Sequence, residues 1–342
     1  MPPPRATRWA TCWPLICRYR RRQFWRACDL VTHSATTPSL WIDTDLGFDD
    51  LAAIGLCLAQ GAQVAGLSIV AGNVSLTQAV RNAQSAIALF GWALPIHPGA
   101  AAPLKGALQT ADYVLGADGM RSANRRLPTG GASVPTGEDA VTAMAAWRRA
   151  GGKRVLALGP LTNLAHLAMA APDLVQGLDV VWMGGAFARG NHTSVAEFNA
   201  AVDPEAVDFV LRAGMNLLMV GLECCREVQV TLSDLTPLRA MPGEKAALLA
   251  DLYEGYIRIA ANGTRPMALY DPVAAALALD PGLSQQEAVF IAAELHGTLT
   301  RGMTVIEWRR HKAAPNARVA TAPQADIIRA QFHAGLIRMA QA

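Results

Sequence analysis

WIDTDLGFDD, residues 41–50, sets four carboxylates (Asp43, Asp45, Asp49 and Asp50) within eight residues, directly behind a short apolar run. How this stretch folds decides how the chain folds. "LWID" (40–43) reads as a strand and "DDLAAIGLCLAQG" (49–61) as a helix ended by Gly61, with Gly47 permitting the turn between them. The two-residue period of a strand places Asp43 and Asp45 on the same side, with Asp45 where the strand ends. A strand that enters a helix through a short loop is the opening unit of an open α/β sheet, where ligands bind beyond the carboxyl ends of the strands.

The same rhythm continues along the chain. "QVAGLSIVAG" (63–72) and "LPIHPGA" (94–100) read as strands around the helix "SLTQAVRNAQSAIALFG" (75–91). Residues 104–136 are rich in Gly, Pro and Thr and read as a long loop region, a length that usually serves function. After it come the helix "GEDAVTAMAAWRRAGG", the strand "RVLALG", the helix "LTNLAHLAMAA", the strand "LDVVWMGG", the helix "DPEAVDFVLRAG" and the strand "NLLMVGLE". Residues 244–280 read as mainly helical, and "EAVFIAAELHGTLTRGMTVIEWRR" as a β-hairpin region. Alternation of this kind predicts an α/β fold: a mostly parallel central sheet with helices on both faces. No internal repeat and no clear linker divides residues 39–342, which read as a single catalytic domain.

Residues 1–38 differ from the rest. They hold seven arginines against one acid, Asp29, so the remainder of the chain is net acidic although the whole carries +3. The leader has neither the apolar centre nor the small-residue cleavage site of a secretory signal, and is expected to be a poorly ordered extension. The body offers no broad basic surface for nucleic acid, and no apolar run long enough to span a membrane. Three of the six cysteines (Cys12, Cys17, Cys28) lie in the leader; Cys57, Cys224 and Cys225 lie in the body, without metal-type spacing. This usage predicts a reduced, cytoplasmic protein without a disulfide framework.

Two carboxylates about 5 Å apart repel by roughly 3 kcal/mol at an effective dielectric near 20. Several such pairs need relief by protonation or by a cation, and hard carboxylate oxygens select Ca²⁺ or Mg²⁺. Asp49 or Asp50 could instead cap the following helix, where the dipole favours an acid, but that leaves Asp43 and Asp45 unexplained. An EF-hand loop counted from Asp43 would need Gly and Glu where Phe48 and Ile54 stand. An Asp-x-Asp after a strand is also how a phosphohydrolase of the haloacid dehalogenase type begins.

"DTDLGFDD" (43–50) resembles the N-terminal fingerprint of the inosine-uridine preferring nucleoside hydrolases. Further stretches follow in that family's order: "AGNVSLTQAVRNA" (71–83), "LGPLTNLA" (158–165), "VWMGGAFARGNHTSVAEFNAAVDPEA" (181–206), "YDPVAAALALDP" (270–281) and "TRGMTVIEW" (300–308). The resemblance runs from about residue 39 to 335, and the phosphohydrolase alternative predicts none of these later stretches. It implies Ca²⁺-dependent hydrolysis of the N-glycosidic bond of ribonucleosides to ribose and free base. It implies Asp45, Asp50, Asp271 and the backbone carbonyl of Leu158 as Ca²⁺ ligands, with Asp45 also the general base toward the attacking water. Asp49, Asn73, Met183, Asn191, Glu197 and Asn199 are the implied sugar-binding set, with Asn73 and Asp43 supporting the acidic loop. Family members associate as dimers or tetramers, so a homo-oligomer is expected. A catalytically weak ribose- or nucleoside-binding relative is the non-enzymatic alternative.

Two positions depart from the family pattern. Tyr270 and Leu115 stand where histidine is common, and a departing purine needs a proton for which imidazole is the usual donor near neutral pH. Tyr270 is the remaining candidate acid, although a phenol near pKa 10 donates poorly. Tyr253, Tyr256 and Arg258 are secondary candidates near the base; Glu223 and His192 receive no role. The missing histidines lead to an expected base preference that leans toward pyrimidines.

Overall fold

The computed structural model describes residues 39–128 and 136–342. The leader expected over residues 1–38 lies outside the described residues. Strand β1 (Leu40–Thr44) is buried at every position. Leu40 and Ile42 enter one apolar core and Trp41 another, as the alternation of a pleated strand requires. A strand buried on both faces belongs inside a sheet. It pairs in parallel with β2 (Val64–Ile69) on one side and β4 (Arg154–Ala157) on the other.

Strand β3 (Ile96–Pro98) extends the sheet beyond β2, and β5 (Asp179–Met183) and β6 (Asn216–Val220) extend it beyond β4, all in parallel. Two-residue strands β7 (Gln229–Val230) and β8 (Met267–Ala268) form a separate antiparallel pair. The expected hairpin is present as β9 (Gln285–Ala293) and β10 (Thr304–Glu307). Between it and β6 lies β11 (Ala317–Thr321), parallel to β6 and antiparallel to β9, a strand that the sequence reading leaves out. The full order is β10-β9-β11-β6-β5-β4-β1-β2-β3, so the sheet is mostly parallel with one antiparallel edge.

Thirteen α-helices connect or cover the strands among the described residues: α1 (Phe48–Ala59), α2 (Leu76–Phe90), α3 (Asp112–Leu115), α4 (Ala140–Arg149), α5 (Thr162–Ala170), α6 (Pro172–Val175), α7 (Phe198–Val202), α8 (Pro204–Arg212), α9 (Leu222–Cys225), α10 (Thr236–Arg239), α11 (Glu244–Arg258), α12 (Asp271–Leu279) and α13 (Ala325–Gln341). Side chains of α1, α2, α11, α12 and α13 build the core that receives Leu40 and Ile42; those of α4, α5 and α8 build the core that receives Trp41. Helices α1 and α13 cross at glycine: a Cβ on Gly55 would stand 2.2 Å from Met339 Sδ. Residues 244–280 are mainly helical, as expected, with α11 and α12 separated by β8 and by a turn in which Asn262 stands at φ 56° and Gly263 at φ 80°. The loop at 104–136 holds the one-turn helix α3.

From β1 the chain moves one way to β2 and β3, then returns to the other side for β4, β5 and β6. This reversal opens a crevice at the carboxyl ends of β1 and β4, where open α/β sheets bind ligands.

Candidate active site

The acidic loop leaves β1 at this crevice. Leu46 has φ 38°, a left-handed conformation that a branched side chain adopts only under constraint. Asn82 of α2 supplies part of the constraint, its Nδ2 donating to the carbonyls of Leu46 (3.0 Å) and Asp118 (2.8 Å). Asp50 accepts from Thr44 Oγ1 at 2.5 Å and, at the start of α1, from the Gly47 amide at 2.8 Å. The capping alternative therefore holds for Asp50 without removing it from the cluster: carboxylate oxygens of Asp49, Asp50 and Asp271 all lie within 4.8 Å of one another. Asp271, the first residue of α12, arrives from 221 positions further along the chain than Asp50.

Asp45 stands next to these three but faces differently. Its Oδ2 accepts from the Asn73 amide at 2.6 Å and its Oδ1 from Asn73 Nδ2 at 3.0 Å. Glycine at position 72 is required here, since a Cβ would lie 2.1 Å from Asp45 Oδ2. Asp43 lies one layer deeper: Oδ1 accepts from Ser68 Oγ and from Asn163 Nδ2 (2.8 Å), while Oδ2 is buried with no partner. The Leu158 carbonyl accepts from Asn199 Nδ2 at 2.9 Å and lines the crevice.

Burial dominates the electrostatics. It raises Asp43 to about 7, and burial with the neighbouring Asp50 charge raises Asp49 to about 7. Burial followed by Asp50 raises Asp45 well above the usual carboxylate range; burial followed by Asp49 and Asp50 does the same to Asp271. Among the described residues no lysine or arginine lines the cavity. Converging hard oxygens and raised pKa values together fit a divalent cation. The set whose oxygens converge contains Asp49 as well as Asp50 and Asp271.

The cavity above the acids has a volume of about 220 Å³, below the usual range of drug-sized ligand sites. Asp49, Asn73, Met183, Asn191, Glu197 and Asn199 all line it, as the sequence reading requires of a sugar-binding set. Glu197 caps α7, accepting from the amides of Gly185, Asn199 and Ala200 at 2.9–3.0 Å, and burial raises it to about 7. Asn199 Nδ2 also donates to the Met183 carbonyl, tying β4, β5 and α7 together at the floor. Asn191 Oδ1 accepts from the Phe198 amide at 2.9 Å. Tyr256, Ile259, Met267 and Tyr270 also line it, together with Val114, Leu115 and a 69% exposed Tyr113.

Tyr270 and Leu115, the two departures from the family pattern, both line this cavity. Burial pushes the Tyr270 phenol up to about 12, which binds its proton more tightly still. Of the secondary candidates, Tyr256 lines the cavity and donates to the Ala268 carbonyl at 2.6 Å. Tyr253 donates to the Phe48 carbonyl and packs edge-on to Phe332, whereas Arg258 pairs with Glu254.

Residues 40–330 match the family described as inosine-uridine preferring nucleoside hydrolase. The chain belongs to that family. A non-specific ribonucleoside hydrolase, RihC, of Salmonella paratyphi B is 34% identical over 292 residues, which are 83% of this chain and 93% of the relative. A solved purine-preferring ribonucleoside hydrolase from Gardnerella vaginalis superposes with a TM-score of 0.80 at 26% identity, covering 89% of this chain and 99% of its own. An inosine-guanosine nucleoside hydrolase does so with a TM-score of 0.79 at 26% identity, covering 87% and 98%. As a nucleoside hydrolase, the chain is an enzyme that hydrolyses the N-glycosidic bond of ribonucleosides.

The hydrolase also relies on residues that its sequence did not announce. Glu223 accepts from the amides of Phe187, Ala188 and Arg189, and Arg226 donates to the carbonyls of Arg189 and Gly190, so α9 grips both sides of the segment leading to Asn191. Asn82 had a legible signal: it interrupts the buried stripe Ala79, Asn82, Ala83, Ala86 with a polar group that must find partners. Glu223 had none, because its partners are backbone amides 34–36 residues away.

Proposed function

We propose that this nucleoside hydrolase is Ca²⁺-dependent and releases ribose and free base from ribonucleosides, with a base preference leaning toward pyrimidines. The single observation that supports it most is the convergence of Asp49, Asp50 and Asp271 beneath a cavity lined, among the described residues, by no lysine or arginine. Asp45, Asp50, Asp271 and the Leu158 carbonyl would hold the ion, with Asp49 at its edge. When bound, the ion supplies Lewis acidity toward water and a positive charge that balances the buried acids. Calcium suits a site built of carboxylate and carbonyl oxygens from distant parts of a chain, since its coordination number and geometry are flexible.

In the reaction the chain's own groups act on the sugar. Asp45, its carboxylate oriented by Asn73 and raised by burial, takes the proton of the attacking water. Asp49 and Asn199 hold the ribose hydroxyls, and Glu197 faces the positive charge that develops on the ring as the bond to the base breaks. The departing base is met by Tyr270, whose high pKa suits hydrogen bonding to the base and stacking more than proton transfer. A leaving group that needs no strong acid is then cleaved best, which is the basis of the pyrimidine preference. The purine-preferring neighbours supply a contrary expectation, and RihC's non-specificity an intermediate one.

Ribose release measured over uridine, cytidine, inosine and guanosine, with calcium and with chelator, tests both parts. Turnover that chelation leaves untouched contradicts the metal dependence; inosine exceeding uridine and cytidine contradicts the base preference. A nucleoside 5′-monophosphate should not be cleaved, since among the described residues no lysine or arginine lines the cavity to receive its phosphate. Residues 39–342 are proposed to act as one catalytic domain, in homodimers or homotetramers, in the cytoplasm. Three buried free cysteines (Cys57, Cys224, Cys225) agree with a reducing compartment, and among the described residues no helix is long and apolar enough to cross a membrane.

A further inference from the structure

We infer that Asn82 is a positioning residue for the hydrolysis, its one carboxamide fastening the acidic calcium loop to the wall of the cavity; the inference rests on the calcium-dependent reading above. The side chain is buried on the core-facing stripe of α2, where a polar group is tolerated only if its hydrogen bonds are made. Nδ2 donates to the Leu46 carbonyl at 3.0 Å and to the Asp118 carbonyl at 2.8 Å, which uses both of its hydrogens. Oδ1 accepts from Gln78 Nε2 at 2.9 Å. Turning the amide over would set its oxygen against two carbonyls and its nitrogen against a donor, so the two bonds are fixed in direction.

The two carbonyls belong to different halves of the site. Leu46 joins Asp45 to Gly47, and its φ of 38° turns the chain from β1 toward Asp49 and Asp50. Glycine would adopt that conformation freely, but the Leu46 side chain is wholly buried in the core, so the turn is held from outside instead. Asn82 holds it at the carbonyl and Thr44 Oγ1 at the amide, 3.1 Å away. Asp118 belongs to a hydrogen-bonded run: the Gly116 amide donates to the Asp112 carbonyl, the Gly119 amide to Gly116 and the Arg121 amide to Leu115. That run carries Tyr113, Val114 and Leu115 of the cavity wall. Without Asn82 the bonds between Asp45 and Asn73 stand, while the spacing of Asp45 from Asp49 and Asp50, and the seat of the wall, are both released.

The test measures calcium affinity by titration calorimetry, and uridine kinetics at saturating calcium, in wild type, Asn82→Ala, Leu46→Gly and the double variant. Asn82→Ala should weaken calcium binding about ten-fold and raise KM about three- to ten-fold. Its kcat should stay within about three-fold of wild type, because Asp45 keeps its Asn73 contacts. Glycine takes a positive φ without strain, so in the Leu46→Gly background the loss of Asn82 should cost calcium affinity only about two-fold. The rise in KM, which comes from the Asp118 end, should persist there. A residue that merely stabilises α2 would lower Tm without producing this pattern. A folded Asn82→Ala protein with wild-type calcium affinity, or an equal calcium loss in both backgrounds, overturns the inference. If circular dichroism shows Leu46→Gly to be unfolded, Asn82→Ala decides alone, and an unchanged calcium affinity or an unchanged KM overturns it. If Asn82→Ala is unfolded, Asn82→Leu, a strong helix former without a donor, is read in its place. Wild type that binds no calcium would sink the calcium reading itself, and the titration of wild type alone tells that failure from the others.

Discussion

At the scale of single residues, the site is a set of buried acids whose charges oppose one another. Asp45→Asn preserves size and keeps one oxygen to accept from Asn73, yet removes the proposed base, so kcat should fall about 10²- to 10⁴-fold with KM changed far less. Steady-state kinetics on uridine would show it, and an equal rise in KM would mean that Asp45 serves binding alone. Asp271→Ala should instead abolish calcium binding measured by calorimetry, because it removes one of the three acids whose oxygens converge. The acids near the N-terminus were legible because period-2 geometry and charge crowding mark them within ten residues. Asp271 was legible only through resemblance, since nothing local to "YDPVAAALALDP" tells that its carboxylate meets Asp50. Glu223 and Asn163 escaped the sequence reading for the same reason: their partners are distant, and the burial that makes them matter belongs to the fold.

At the scale of elements, two clamps hold the rim and the sugar wall. Helix α9 grips residues 187–190 through Glu223 and Arg226, upstream of Asn191. Glu223→Ala should raise KM for uridine several-fold while calorimetric calcium affinity stays at the wild-type value; a loss confined to kcat would assign the clamp another purpose. Helix α11 holds the second clamp. Asp251 accepts from the Arg125 amide (3.1 Å), from Arg125 Nη1 (2.8 Å) and from Arg239 Nη1 (3.3 Å), while its carbonyl accepts from the Ala123 amide. Burial works against its charge, but the Arg125 and Arg239 contacts win and hold its pKa below the ordinary carboxylate value. A carboxylate depressed in the folded state stabilises above its unfolded pKa and loses that contribution as pH falls through the folded one. Asp251→Asn should therefore cost about 1–3 kcal/mol in urea unfolding at pH 7, with the difference from wild type shrinking below about pH 4. A difference constant with pH would refute the ionic origin. The strand and helix pattern itself was largely legible from β1 to β6, where apolar runs are long and bounded by Gly or Pro. Strand β11 was not, because "ARVAT" is five residues long and earns its place only by filling the gap between β6 and β9.

At the scale of the whole molecule, the acids make metal and stability one problem. Asp43, Asp49 and Glu197 are raised to about 7 in the fold, against 3.8–4.5 when unfolded. Between those values the folded chain binds more protons than the unfolded chain, so metal-free stability declines as pH rises from about 4 to 7. A bound divalent cation favours the ionised forms and reverses the trend. Melting curves with chelator should drop from pH 5 to pH 8, and calcium should raise Tm most at pH 8, by roughly 2.7 kcal/mol of stability at a hundred-fold excess over Kd. Equal calcium effects at pH 5 and pH 8 would contradict this linkage.

The lining of the cavity, with no lysine or arginine among the described residues, has a consequence outside the enzyme. A cell that breaks down spent nucleosides must not consume the building blocks it is assembling into RNA, and both kinds of molecule share one sugar and one set of bases. On the reading proposed, the electrically unwelcoming wall works as a sorting device, so that phosphorylation alone marks a molecule as kept and its absence marks it for dismantling.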